Sequence, residues 1–275
     1  MKYKKKREYL EILLAYIVVV ISIAFFIFPL IQFAITSVRP TKYLLTSIIP
    51  RRLTLDNYRR IMAFQVFTQP LINSIIVSSL STLIVVAVSI LAAYSLTKFQ
   101  YKKKEDIAFF ILSLYMFPPI VAIIPIRCIA GTLGFLDNRI FLSATYAFLN
   151  LPFTVWLLRN FFISIPREIE EASLIDGCSL WGSLFRVTLP LALPGIAVAI
   201  MFSFIFSWIE FLFAVILTET EAITIPVAIA SQVTYFIEWG RLASMATLSI
   251  APVLLLSIFL QKYIISGLTF GAVKG

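Results

Sequence analysis

Histidine is absent from the 275 residues, and cysteine occurs only twice, at Cys128 and Cys178. Without histidine, Ser-His-Asp and Cys-His nucleophilic catalysis are excluded, and so is a proton relay through imidazole. Two cysteines alone cannot build a Cys/His zinc site. Charge is also scarce: 13% of residues are Asp, Glu, Lys or Arg, against 60% hydrophobic. A soluble domain carries about one quarter charged residues, and a single core of this size cannot hide so much apolar surface. Soluble, disordered, collagen-like and disulfide-rich secreted classes therefore drop out. The chain also lacks a Gly-x-x-x-x-Gly-Lys-Ser/Thr loop, and with it the P-loop machinery for ATP hydrolysis. A polytopic membrane protein is what remains.

Six uncharged runs are long enough to cross a bilayer, which takes about 20 helical residues. They are 12–38, 71–97, 107–126, 140–158, 187–209 and 242–261. The runs are continuous, not alternating, which predicts helices and not barrel strands. A further stretch, 222–237, has 16 residues and contains Pro226. It is read as an interfacial or re-entrant piece, with a seventh span as the alternative. The first run exceeds the apolar core of a signal peptide, about 7–15 residues, and no small-residue cleavage site follows it, so a retained anchor is expected.

The net charge of +9 falls mainly between these runs. There it sets topology and meets anionic lipid headgroups, with no nucleic acid implied. Lys2, Lys4, Lys5, Lys6 and Arg7 precede the first run, and Lys98, Lys102, Lys103 and Lys104 follow the second. With both termini cytoplasmic, inner segments hold 14 basic residues and outer ones 9, which favours that orientation. The discordant segment is 39–70, with six. Cys128 then lies outside and Cys178 inside, so no intrachain disulfide is expected.

The longest inner loop is organised differently from the others. Ser164 is placed to cap a helix with Pro166 in its early turn, and Glu168, Glu170 and Glu171 suit the positive end of its dipole. Ile169, Ala172 and Ile175 share one face. Gly177 marks a stop, and Ser179 can cap a second short helix leading to Pro190. A helix with an acidic polar face is repelled by anionic lipid. A protein partner fits it better.

Glu171-Ala172-Ser173, Asp176-Gly177, Phe185 and Leu189-Pro190 resemble the EAA loop of ATP-binding-cassette (ABC) importer permeases, with Ser173 at the second alanine and Val187 at the usual isoleucine. The resemblance runs over nearly the whole chain and is to the maltose-type (MalG-like) carbohydrate permeases. It includes 53–58, Asn73-Ser74, 92–99, Phe117-Pro118-Pro119, Leu151-Pro152-Phe153, 156–159, 207–214 (with Ile209 where Asn is usual) and the tail 267–275.

The resemblance implies an all-α type I ABC-importer permease fold with six transmembrane helices. It implies one permease domain over 1–275 in the plasma membrane, with a cytoplasmic coupling loop at 164–182. The partners implied are an ATP-binding-cassette ATPase dimer, a second homologous (MalF-like) permease and an extracytoplasmic sugar-binding protein. ATP and magnesium would be bound by the ATPase, and this chain would need no cofactor. The coupling residues implied are Glu170, Glu171, Ala172, Ser173, Asp176, Gly177, Leu189 and Pro190.

Polar side chains inside spans are costly unless paired or wetted. Asn150, Thr154, Ser203, Ser207, Trp208 and Glu210 are accordingly candidates for the solute path. Packing competes as an explanation for most of them, and structural pairing for Glu210. A phosphate-bearing solute would favour basic groups along the path, and the spans carry none, which favours an uncharged solute such as a sugar; glycerol phosphate or a polyamine is the alternative. An ion-coupled carrier would need intramembrane coupling charges or an internal repeat, and neither is visible.

Overall fold

The computed structural model describes residues 2–40, 52–63, 65–233 and 238–270, without the side chains of 2–8, 10 and 264–270. The end of the 222–237 stretch (234–237) and the last residues of the tail (271–275) lie outside the described residues. Among the described residues there are helices and no strand. In order they are α1 (Lys2–Ser37), α2 (Asp56–Ala63), α3 (Thr68–Lys98), α4 (Lys104–Leu114), α5 (Pro119–Thr132), α6 (Arg139–Ile163) and α7 (Arg167–Ile175). Then come α8 (Leu180–Ser183), a π-helical turn (Leu184–Thr188), α9 (Leu189–Leu191), α10 (Leu193–Ile209), α11 (Leu212–Leu217), α12 (Ile225–Ala230) and α13 (Trp239–Phe270).

Four helices are individually long and apolar enough to cross a membrane, and two bent pairs bring the number up to six. Two of the sequence-predicted spans are thus broken. Run 107–126 becomes α4 and α5, inclined by 84°. Pro118 there is extended, at φ −62° and ψ 119°, and Pro118 and Pro119 supply no backbone N–H to continue the helix. Run 187–209 bends by 77° between Leu191 and Leu193, where Pro190 and Pro194 flank Ala192. Hydrophobicity reports how long a segment stays in lipid, not whether it stays straight. In the 222–237 stretch, α12 has six residues, about 9 Å of helix, too short to span.

The chain divides into two compact units, 1–68 with 229–250, and 69–228 with 251–275. In the first unit, Asn57 of α2 closes the end of α1. Its side-chain amide donates to the carbonyls of Ser37 (2.9 Å) and Arg39 (2.8 Å), which have no helical partner at a C-terminus. Ser37 also meets the Tyr58 hydroxyl at 2.6 Å.

The second unit is organised round α6. One apolar cluster joins Val85, Leu158, Phe162, Leu184 and Ala199, and another joins Val77, Ile123, Leu142, Tyr146 and Phe213. Asn138 caps α6, accepting from the Ile140 and Phe141 amides at 2.8 and 3.1 Å. Arg159, buried near its other end, pairs with Glu105 of α4 at 2.5 Å and lies over the Trp156 ring. Where α6 meets α10, Gly195 sits against Phe161, and a Cβ added there would lie 2.7 Å from the Phe161 Cβ.

That contact sets a test of the packing. Gly195→Ala should destabilise the protein in detergent by about 1–3 kcal/mol through overpacking, read as a lowered melting temperature. Gly131→Ala, whose new Cβ meets only Leu136 Cδ1 at 3.7 Å, should change stability by no more than about 1 kcal/mol.

Candidate functional site

Between α6 and α10 the chain leaves the bundle to form a knob of α7 and α8. Ser164 does not cap α7, as the sequence reading expected. It is the C-cap of α6, its hydroxyl bonding back to the Phe161 carbonyl at 2.7 Å. Pro166 is instead the residue before α7, with no side-chain cap. At the other end of α7 the expected stop is present. The Gly177 amide donates to Leu174 (3.1 Å) and the Cys178 amide to Ser173 (3.0 Å), the paired closure of a Schellman motif. Gly177 has φ +89°, with nothing within 4 Å of an added Cβ. Its constraint is backbone conformation, not space. Ser179 then caps α8, accepting from the Gly182 amide at 3.1 Å.

The apolar positions of α7 do not face the bundle. Ile169 and Ala172 are exposed, and Ile175 is 86% exposed. Glu171, Asp176 and Gly177 are exposed beside them. Trp181 and Phe185 stack in the open, with ring centroids 6.1 Å apart. Leu189 is half-buried and Pro190 exposed. Among the coupling residues implied by the resemblance, Glu170 and Ser173 alone are buried. Glu170 receives the Tyr94 hydroxyl, pairs with Lys98 and accepts from Thr188 at 3.4 Å. Ser173 meets the Ser183 hydroxyl at 2.7 Å. The knob thus presents an exposed apolar patch edged with acids, and patches of this kind are the surfaces on which protein association builds.

The candidate path residues gather in a buried seam between α3, α6 and α10. Asn150 donates to Ser207 at 3.1 Å, Ser207 meets Ser81 at 3.1 Å, and Thr154 meets Ser203 at 3.1 Å. These groups satisfy one another, so here they join helices in the manner of polar contacts between membrane spans. Trp208, also buried, stacks on Phe204 at 5.6 Å. Glu210 stands at the break after α10. Its carboxylate accepts from the Phe213 amide (3.0 and 3.2 Å) and the Ala214 amide (3.3 Å), which closes the open start of α11.

A half-exposed aromatic ladder was not anticipated from the sequence. Tyr115, at the α4–α5 break, lies 5.8 Å from Phe153 of α6. Phe153 in turn packs on Phe202 (5.8 Å) and Phe206 (5.3 Å) of α10. Tyr115 is 50% exposed, and the three phenylalanines are half-buried. Phe153, Phe202 and Phe206 stood in apolar runs, where a core ring and a path ring look alike; the only signal was the i, i+4 spacing of Phe202 and Phe206 on α10.

Residues 85–269 match the family described as the binding-protein-dependent transport system inner membrane component. The chain belongs to that family. Over 98% of its length it is 34% identical to the trehalose/maltose transport system permease protein MalG of Thermococcus litoralis, of which it covers 99%. It is likewise 34% identical, over 92% of its length and 94% of the relative's, to the trehalose transport system permease protein SugB of Mycobacterium tuberculosis. In fold it matches a chain of a bacterial ABC transporter involved in the import of the acidic polysaccharide alginate, with a TM-score of 0.78 and 22% identity, covering 91% of this chain and 95% of that one. The chain is a membrane-embedded permease component of an ABC importer, a transport subunit and not a catalyst.

The end of this permease opposite the knob is closed by Asp137, which the sequence reading did not single out. Its carboxylate accepts from the amides of Glu219 (3.0 Å), Thr220 (2.9 Å), Glu221 (2.8 Å) and Ala222 (2.9 Å). Asn73 and Ser74 of α3 hold the same loop. Asn73 donates to the carbonyls of Glu221 and Ile223, both at 2.8 Å, and Ser74 accepts from the Ile225 amide. Partial burial would raise the Asp137 carboxyl, but the four amides outweigh it and hold the group well below the usual carboxylate range. A depressed acid stabilises the fold above its unfolded value, about 3.9, and that contribution is lost as pH falls through the folded value. Asp137→Asn, which tolerates the positive φ of 57° at this position, should melt lower than wild type at pH 7. The difference between the two should shrink by pH 3, and an equal gap at both values would contradict the clamp.

Proposed function

We propose that the chain translocates a sugar or oligosaccharide, delivered by an extracytoplasmic binding protein, driven by a separate ATPase dimer. The observation that carries this reading is the rigid α7–α8 knob with its apolar and acidic surface turned away from the bundle. Glu171 and Asp176 supply polar contacts to the ATPase, Ala172 permits close approach, and Ile175 and Trp181 fill its groove. ATP and magnesium stay on the ATPase. Closure of the two ATPase copies drags the knob as a rigid body and with it this permease and a second, homologous one. The knob and both termini are cytoplasmic, in line with the 14 basic residues against 9.

Sugar is favoured as solute by the relatives, which belong to trehalose/maltose and trehalose transport systems, and by the Tyr115–Phe153–Phe206 ladder. Sugar C–H faces stack on such rings, and spans without basic residues offer nothing to a phosphate. On this reading the aromatic face lines the path, with the Asn150–Ser207 seam supporting it from behind.

Three experiments test the reading. Proteoliposomes holding this chain, its partner permease and the ATPase should take up radiolabelled trehalose or maltose only with ATP inside and binding protein outside. Uptake without ATP would reject it. Glu171→Lys should reduce ATPase co-purification about tenfold, the scale for one lost interfacial charge contact. Full retention at moderate salt would remove Glu171 from the interface. Gly177→Val, strained at φ +89°, should insert normally yet lose uptake.

A further inference from the structure

Glu170 is an acid on the inner side of α7, 7% exposed, and contact with an outside partner makes no use of it. Its carboxylate is held by three groups from two directions. Tyr94 and Lys98 reach it from the last turns of α3, and Thr188 reaches it from the π-helical turn. Lys98 is nearly as enclosed, its side chain 10% exposed. Ser173, the other buried polar residue of α7, bonds only within the knob, to Glu170's carbonyl and to Ser183. Among the described residues, Glu170 is therefore the polar side chain that ties α7 to a membrane-spanning helix.

A buried ion pair adds little net stability, because desolvation offsets much of its attraction; what it does well is fix one helix against another. From Tyr94 the connection continues in both directions. The ring packs edge-on against Phe162 of α6 at 6.4 Å. Further along α3, Ser81 meets Ser207 of α10. We infer that Glu170, with Lys98 and Tyr94, is the positioning group that fastens the knob to α3 and passes its motion to the α3–α10 seam. This rests on the reading of the chain as an ATP-driven permease, and it assigns Glu170 a role distinct from Glu171, its exposed neighbour.

The test uses the full complex in proteoliposomes, with trehalose or maltose as the probe, and reads solute moved per ATP hydrolysed. The double variant Lys98→Met/Glu170→Met replaces the pair by apolar side chains of similar length. It should assemble and melt close to wild type while the ratio falls about tenfold, within the usual range of a coupling free energy. An unchanged ratio overturns the assignment. So does a loss of uptake that merely follows a loss of assembled complex, since that is the mark of a structural role. Should the double variant fail to accumulate, Tyr94→Phe, which removes one hydroxyl, decides the matter: a lower ratio supports the tie, and an equal one overturns it. A wild-type complex with no ATP-dependent uptake would instead reject the functional reading.

Discussion

A backbone amide or carbonyl facing hydrocarbon without a partner costs several kcal/mol, and this permease breaks its helices repeatedly inside the bundle. Backbone turns close the α4–α5 break and the bend at Ala192, and at three other places a polar side chain from near in sequence or from another element does so. Glu210 closes the start of α11, Asn57 closes the end of α1, and Asp137, Asn73 and Ser74 hold the loop from 219 to 225. Polar residues scattered through an apolar chain would otherwise invite a solute-binding interpretation. Here Glu210, Asn57, Asp137, Asn73 and Ser74 stand where the backbone requires a donor or an acceptor.

The same constraint separates a polar seam from an aromatic face. Asn150, Ser207, Ser81, Thr154 and Ser203 find one another in pairs between helices, so α3, α6 and α10 are held by hydrogen bonds as well as by packing. The aromatic ladder from Tyr115 to Phe206 has no such obligations. It stays half-buried.

At the knob, exposure and charge are inverted relative to a soluble amphipathic helix. Ile169 and Ile175 face out while Glu170 faces in. A helix that buries its acid and offers its aliphatics keeps an apolar surface for association, and the buried acid aligns it against α3. Gly177 ends the helix by backbone conformation alone, leaving the tip unobstructed.

Much of this was legible in the sequence. Uncharged runs marked the membrane segments, because the length of an apolar run is set by bilayer thickness. The Glu171–Gly177 string marked the knob and its stop, because helix ends are written in local residue chemistry. What the sequence could not show was anything that depends on which face meets which. Periodicity placed Ile169, Ala172 and Ile175 on one side of α7 but could not tell whether that side was core or contact surface. Span-counting could not see the bends at Pro118–Pro119 and Ala192, since hydropathy is blind to direction. Asp137 lies more than 80 residues from the amides it binds, and Glu170 is 76 from Tyr94. Local chemistry by itself determined where the apolar segments lie and where α7 ends. Only the tertiary structure decided which polar groups became caps, seams or ties, because each of those roles belongs to a pair of residues brought together by folding.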